Sequence, residues 1–288
     1  MALSPAHRLG QIIGQQLERS VREPLAALAG QLNLYLDYHH PRSARGGKSR
    51  VVWRDSKGNT HILDYVIEEG GSETVQGRPR AFIEIAWRRY TKHSKNKAQE
   101  IQGAIAPLAE TYQDSHPFLG AVLAGEFTEP SLEQFRSHGF NLIYCSYQTV
   151  LQAFASEGVD VSSEEDSSDD ELQSKVDAFA RLSQLQQKRI ATKIQELHGD
   201  QFESFFDSLA GSLRRRVEYV FVLPLSGSSH RFESIQDAVT YISNHDPSTP
   251  SSEFVRYELN VRYSNGDEIR GTFRDKQTAI EFLRLNSN

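Results

Sequence analysis

The chain is poor in cysteine, in long apolar runs and in positive charge. Cys145 is the single cysteine among 288 residues, so no intramolecular disulfide forms and no oxidising compartment is called for. No apolar run approaches the ~18–20 residues that a membrane span needs. The opening MALSPAHRLGQ lacks the continuous apolar core of a signal peptide. The expectation is a cytoplasmic protein without membrane contact. Several chemistries are also missing. There is no HExxH, no paired CxxC and no GxSxG. Gly47-Lys48-Ser49 ends like a phosphate-binding loop, but Arg42 stands where that motif needs glycine. The histidines are scattered, with His39-His40 the one cluster. Cys145 lies in an apolar strand without a nearby activating base, which argues against a nucleophilic thiol.

Lysine and arginine number 32 against 38 acids, a net charge of −6, which by itself argues against a polyanion partner. The deficit is not spread evenly. Residues 1–155 hold 17 basic and 15 acidic residues, 156–180 hold 1 and 9, and 181–288 hold 14 of each. One short stretch, EGVDVSSEEDSSDDE at 157–171, carries eight acids and no base. Such a segment buries too little apolar surface to offset its ordering entropy. It reads as a flexible tether, or as an acidic segment that competes for a basic groove.

Four parts follow: an N-terminal α/β domain over 1–155, the acidic flexible linker over 156–171, a helical segment over 172–216 and a small α+β domain over 217–288. Leu9, Ile12, Ile13, Leu17, Val21, Leu25 and Leu28 are spaced for one amphipathic helix, with Pro24 marking a kink or a second start. Extended segments follow at 33–39, 50–55 and 61–68. The last two are joined by Ser56-Lys57-Gly58-Asn59 and should pair as a hairpin. A strand at 80–87, a helix at 94–112, a strand at 118–124, a short helix at 131–138, a strand at 141–146 and a helix at 148–156 complete a mixed-sheet sandwich. Residues 172–216 read as two helices split at Gly199-Asp200. The last part reads as βαββα, with an Asn265-Gly266 hairpin turn and Asp275 capping the final helix.

One constellation carries chemistry. Asp64 ends a hairpin strand, and Glu84 lies in the next strand, sharing a face with Phe82 and Ala86 because strand side chains alternate. Adjacent strands would bring the two carboxylates to one divalent cation. Hard oxygen donors of this kind suit Mg²⁺, which keeps several waters and takes one or two protein carboxylates. A glutamate between Ile83 and Ile85 in an apolar run needs a partner or a metal if its strand is central. Residues 42–57 hold six bases and one acid, and 78–97 hold seven bases and one acid, with Trp87 and Tyr90 interleaved. Two basic runs bracketing a pair of acids suit a polyanion. Arg45, Lys48, Arg88, Arg89 and Lys92 are the candidate nucleic-acid contacts, with Arg88 and Arg89 offering planar forks to phosphates.

The order of elements over about residues 8–155, with Asp64 in the hairpin and Glu84 in the following strand, resembles the PD-(D/E)XK nuclease superfamily, the restriction-endonuclease-like fold. The resemblance implies an α/β mixed-sheet sandwich, Mg²⁺ as cofactor, and hydrolysis of DNA phosphodiester bonds by a restriction or other defence nuclease. Asp64 takes the place of the family Asp, and Glu84 that of the acid in the Glu-x-Lys element. Leu63 precedes Asp64 where the family often has Pro. Ala86 stands where the family has its lysine. The family tolerates migration of that lysine, and Lys97, or failing it Lys95, near the start of the next helix is the expected substitute. Gln99 is a candidate contact to a metal-bound water, and Glu18 in the first helix is a candidate accessory carboxylate. Cutting both strands with one site per chain implies a homodimer. A methyltransferase or ATP-driven partner subunit is compatible with the same resemblance. Two other readings stay open: a nucleic-acid-binding module with an inactive site, prompted by Ala86, and a protein-interaction subunit of a larger defence complex.

Overall fold

The computed structural model describes residues 4–224, 229–246 and 255–287, without the side chains of 91–95. The chain divides into two compact units. Unit 1 comprises Met1–Thr111 and Phe118–Ala210, and unit 2 comprises Tyr112–Pro117 and Gly211–Asn288. The fold is mixed α/β, with a mixed sheet in the first and a separate antiparallel sheet in the second. No helix among the described residues is long and apolar enough to cross a membrane.

Unit 1 opens with α1 (Pro5–Gln31). Ser4 caps it, with Pro5 at the first position, where a missing N–H costs nothing. The stripe Leu9, Ile13, Leu17, Val21, Leu25 is buried. Pro24 lies inside the helix and starts no second one. Proline has no N–H for the carbonyl four residues back, and Gln195 from a later helix donates its Nε2 to that Ser20 oxygen.

The main sheet has the order β1-β4-β5-β6-β7, with β1 (Tyr35–Tyr38), β4 (Tyr65–Glu69), β5 (Arg78–Arg88), β6 (Phe118–Gly125) and β7 (Asn141–Ser146). β1, β4 and β5 run antiparallel, and β5, β6 and β7 parallel. β2 (Val51–Arg54) and β3 (Thr60–Leu63) pair as the expected hairpin but form a two-stranded sheet of their own. The single strand expected at 61–68 is therefore two, and the chain changes sheets at Asp64. Leu63 and Tyr65 are both buried on either side of that corner. β5 is the central strand, and Ala81, Phe82 and Ile83 are fully buried. α1 reaches it at Trp87, beside Gly10, while α2 (Thr91–Thr111) approaches the face of Glu84. Residues three apart on a strand point to opposite faces, so β5 is covered on both. α3 (Glu129–Ser137) and α4 (Tyr147–Ala155) complete the αβ alternation.

Residues 172–216 form parts of three helices where two were expected: α5 (Asp169–Ala180), α6 (Gln184–Leu197) and α7 (Gly199–Arg214). The unforeseen break is at Ser183, which forms a reciprocal capping box with Gln186. α5 and α6 pack on α1 and belong to unit 1. The acidic stretch is not a free tether in the structure. Val159 and Val161 are buried, Glu157 pairs with Arg189 at 2.7 Å, and Lys175 bridges Asp160 and Glu171 at 3.0 and 2.8 Å. Two valines supply the anchors that the charge count concealed. Asp169, Asp170 and Glu171 sit in the first turn of α5, where negative charge favours the helix dipole.

Unit 2 is built on β8 (Val217–Pro224), β9 (His230–Phe232), α8 (Ile235–Asn244), β10 (Tyr257–Tyr263), β11 (Glu268–Phe273) and α9 (Lys276–Leu285). The sheet order is β11-β10-β8-β9, entirely antiparallel. Its core is Val220, Val222, Leu259, Val261 and Ile269 against Ala238, Ile242, Ala279 and Leu283. Asp275 caps α9 as expected, and β9 is an addition to the expected βαββα order.

Candidate active site

Asp64 occupies the corner between β3 and β4, and β5 grips that corner from both sides. The Asp64 N–H donates to Glu84 Oε1 at 3.1 Å, and the Ile85 N–H donates to Asp64 Oδ2 at 2.7 Å. The carboxylates expected to meet across neighbouring strands do meet. Glu84 is 7% exposed in the central strand. Burial, reinforced by the neighbouring Asp64 charge, pushes its carboxyl well above the ordinary 4.5, and Lys97 opposes the shift. Burial likewise raises Asp64, against the Ile85 N–H and the positive fields of Lys97 and His39. Two acids that each resist ionisation form a site short of positive charge.

Three more groups border the pair. Lys97 leans back from α2 with its side chain 15% exposed and pairs with Glu100 at 2.8 Å. It supplies opposing charge to both acids, from a position eleven residues beyond Ala86. Glu18 of α1 stands at the rim. Its carboxyl is raised by burial and then by Asp64, with Arg22 opposing. His39, just past β1, faces Asp64 electrostatically and is exposed. The sequence reading passed over His39, and its only signal was the His39-His40 doublet. His40 has a different fate: its Nδ1 meets the Tyr38 carbonyl at 2.9 Å and its Nε2 meets Glu73 at 3.3 Å. Ala86 is buried opposite Leu123.

The donor chemistry fits a hard divalent cation. Among the described residues no hydrogen bond reaches Asp64 Oδ1 or Glu84 Oε2. Among them, too, no three His, Cys, Asp or Glu side chains gather as a metal cluster. Two carboxylates with open oxygens match Mg²⁺, which fills most of its octahedron with water, better than zinc or calcium, which take more protein ligands.

The basic runs divide. Arg42 is 1% exposed and lies 2.6 Å from Glu68 and 2.7 Å from Asp37, while Arg45 is spent on Asp37 and on the His40 carbonyl at 2.6 Å. Arg45, expected at a phosphate, is instead a core ion-pair partner, because Asp37 and Glu68 are buried acids that require one. Arg89 is likewise committed. Its Nε donates to the Ser163 carbonyl at 2.8 Å, and its guanidinium lies 3.9 Å over the Tyr147 ring. Arg88 is partly exposed and sits 3.9 Å from Glu100. Lys48 is exposed. Gln99 is exposed on α2, and its side chain makes no hydrogen bond among the described residues. The side chains of Lys92 and Lys95 lie outside the described residues. Cys145 is fully buried, and burial pushes its thiol up to about 12, so it stays an inert thiol. Comparison of the chain with protein-family models, with curated proteins and with solved structures finds no match.

Proposed function

We propose that the chain is a Mg²⁺-dependent endonuclease that hydrolyses DNA phosphodiester bonds, with unit 1 a variant of the restriction-endonuclease-like fold. The observation that carries this proposal is the meeting of Asp64 and Glu84 at the sheet corner with Lys97 beside them. Asp64 and Glu84 would hold Mg²⁺, which when bound lowers the pKa of its water and neutralises charge on a phosphodiester. The corner hydrogen bonds fix both carboxylates before any ligand arrives. Lys97 stands beside the acids, where it orients the attacking water and offsets charge on the phosphate. Glu18 adds a carboxylate at the rim. One site per chain requires self-association for a double-strand cut.

Plasmid cleavage in Mg²⁺ by wild type, Glu84→Gln and Lys97→Ala tests the proposal. Wild type should nick and linearise, and both variants should fall by two or more orders of magnitude, the scale of a lost acid–base group. Equal activity in all three would sink the assignment. The burial of Ala86 where the resemblance calls for lysine favours one second reading, a binding module with an inactive site. That reading requires salt-sensitive DNA binding with no turnover under any divalent ion.

A further inference from the structure

Unit 2 carries a surface that the proposed nuclease chemistry does not use. The inward residues of its sheet, Val220, Val222, Leu259, Val261 and Ile269, are buried. Side chains alternate along a strand, so Tyr219, Phe221, Asn260, Arg262 and Arg270 point the other way. The register aligns three of these positions with Arg231 into one row. Arg231 of β9 pairs with Phe221 of β8, Phe221 with Asn260 of β10, and Asn260 with Arg270 of β11. At ~4.8 Å per strand the row is about 14 Å long. Tyr219 and Arg262 form the neighbouring row.

The chemistry of this face is specific. Phe221 is 37% exposed, an unusual place for a phenyl ring in the second strand of a four-stranded sheet. The Tyr219 ring meets it edge-on at 5.2 Å, and the Arg231 guanidinium lies 4.5 Å over Tyr219. Arg231 has no ion pair among the described residues. Arg262 and Arg270 share the single carboxylate of Glu268, at 2.8 and 2.7 Å, and Arg256 pairs with Glu258. Guanidinium groups thus exceed carboxylates on this face. Asn260, in the middle of the row, keeps its Oδ1 buried. An exposed phenyl ring and a half-buried tyrosine bracketed by surplus guanidinium groups on an open antiparallel sheet suit unstacked bases and their phosphates. A protein partner would use the rings but leave the surplus positive charge uncompensated unless it were acidic.

We propose that the outer face of the unit 2 sheet binds single-stranded nucleic acid. Bases stack on Phe221 and Tyr219, and Arg231 and Arg270 hold phosphates at the two ends of the row.

The experiment uses the full chain in EDTA, so that binding is read without cleavage. Fluorescence anisotropy follows a labelled 15-residue oligothymidylate, the matching oligouridylate, and a 15-base-pair duplex. Simultaneous Tyr219→Ala and Phe221→Ala should weaken oligothymidylate binding by about tenfold or more for each ring, with duplex binding unchanged. Oligouridylate should follow oligothymidylate within a few fold, because stacking tolerates either sugar. Phe221→Trp keeps a stacking surface and should retain binding, and Arg231→Ala should lower the dependence of binding on salt. Neither ring belongs to the buried core, and an unchanged thermal melt verifies that the double variant folds. Undiminished oligothymidylate binding by the double variant, equal loss on single strand and duplex, or no single-strand binding by wild type would each overturn the assignment. None of these outcomes depends on whether the chain cuts DNA.

Discussion

Arg42 and Lys48 lie six residues apart in one basic run, and the structure buries the first and exposes the second. Arg42→Ala removes both bonds to Glu68, at 2.6 and 3.0 Å, the contact to Asp37 at 2.7 Å, and the donation to the Ser72 and Val75 carbonyls at 2.7 Å each. Both acids are completely buried. Asp37 keeps Arg45, whereas among the described residues Glu68 keeps only the Gly77 N–H at 2.7 Å. The damage therefore concentrates on one uncompensated carboxylate. Breaking a buried pair from one side costs roughly 3–5 kcal/mol, which for a unit of this size lowers the melting temperature by about 6–20 °C. Trp53 and Trp87 both belong to unit 1, so their fluorescence follows its unfolding. Adding Glu68→Gln to Arg42→Met should restore much of the loss, since the orphaned charge is then gone. Lys48→Ala should move stability by less than about 0.5 kcal/mol and weaken duplex DNA binding instead, lowering the salt slope by about one. A melting temperature for Arg42→Ala within 3 °C of wild type, or lost DNA affinity at unchanged stability, would refute the division of the run.

Further expectations concern the site and its surroundings. Because the folded carboxyl of Glu84 is raised above its ordinary 4.5, its ionisation destabilises the fold as pH rises from that value through the raised one. Glu84→Gln should therefore abolish cleavage yet raise the melting temperature at pH 7.5, with the gain shrinking as pH falls toward 4; a lower melting temperature at pH 7.5 would show the charge to be satisfied. Added Mg²⁺ should stabilise wild type in proportion to ln(1 + [Mg²⁺]/Kd) and leave Asp64→Asn unmoved, as differential scanning fluorimetry would record. Lys97→Ala should reduce kcat by about 100-fold or more with little change in KM, and a pure KM effect would make Lys97 a binding residue. Arg89→Ala removes the hold on Ser163 and Glu164 and should open the acidic stretch to limited proteolysis at 160–168, where wild type resists.

Much of both units was legible in local pattern. β7 and β11 lie where alternation predicts them, and Asp275 caps its helix because a carboxylate there answers free N–H groups. The Asp64–Glu84 pair was legible as well, since a hairpin followed by an apolar strand leaves few ways to arrange neighbouring strands. The corner at Asp64 was not, because Leu63 and Tyr65 continue the same alternation on both sides of the change of sheet. The helix break at Ser183 was written in a capping box, a short signal inside a longer periodic stretch.

Spacing alone determined most of the elements and placed Asp64 at a strand end, Glu84 within the next strand and Lys97 near the start of the following helix. Such patterns depend on neighbours two to four residues away, which backbone geometry dictates directly. Only tertiary structure decided which charges face water. Arg42 finds Glu68 26 residues on, and Arg89 finds Ser163 74 residues on. A basic run looks the same in sequence whether its guanidinium groups meet buried acids or solvent. Burial, which sets the cost of leaving a charge unpaired, is a property of the packed chain.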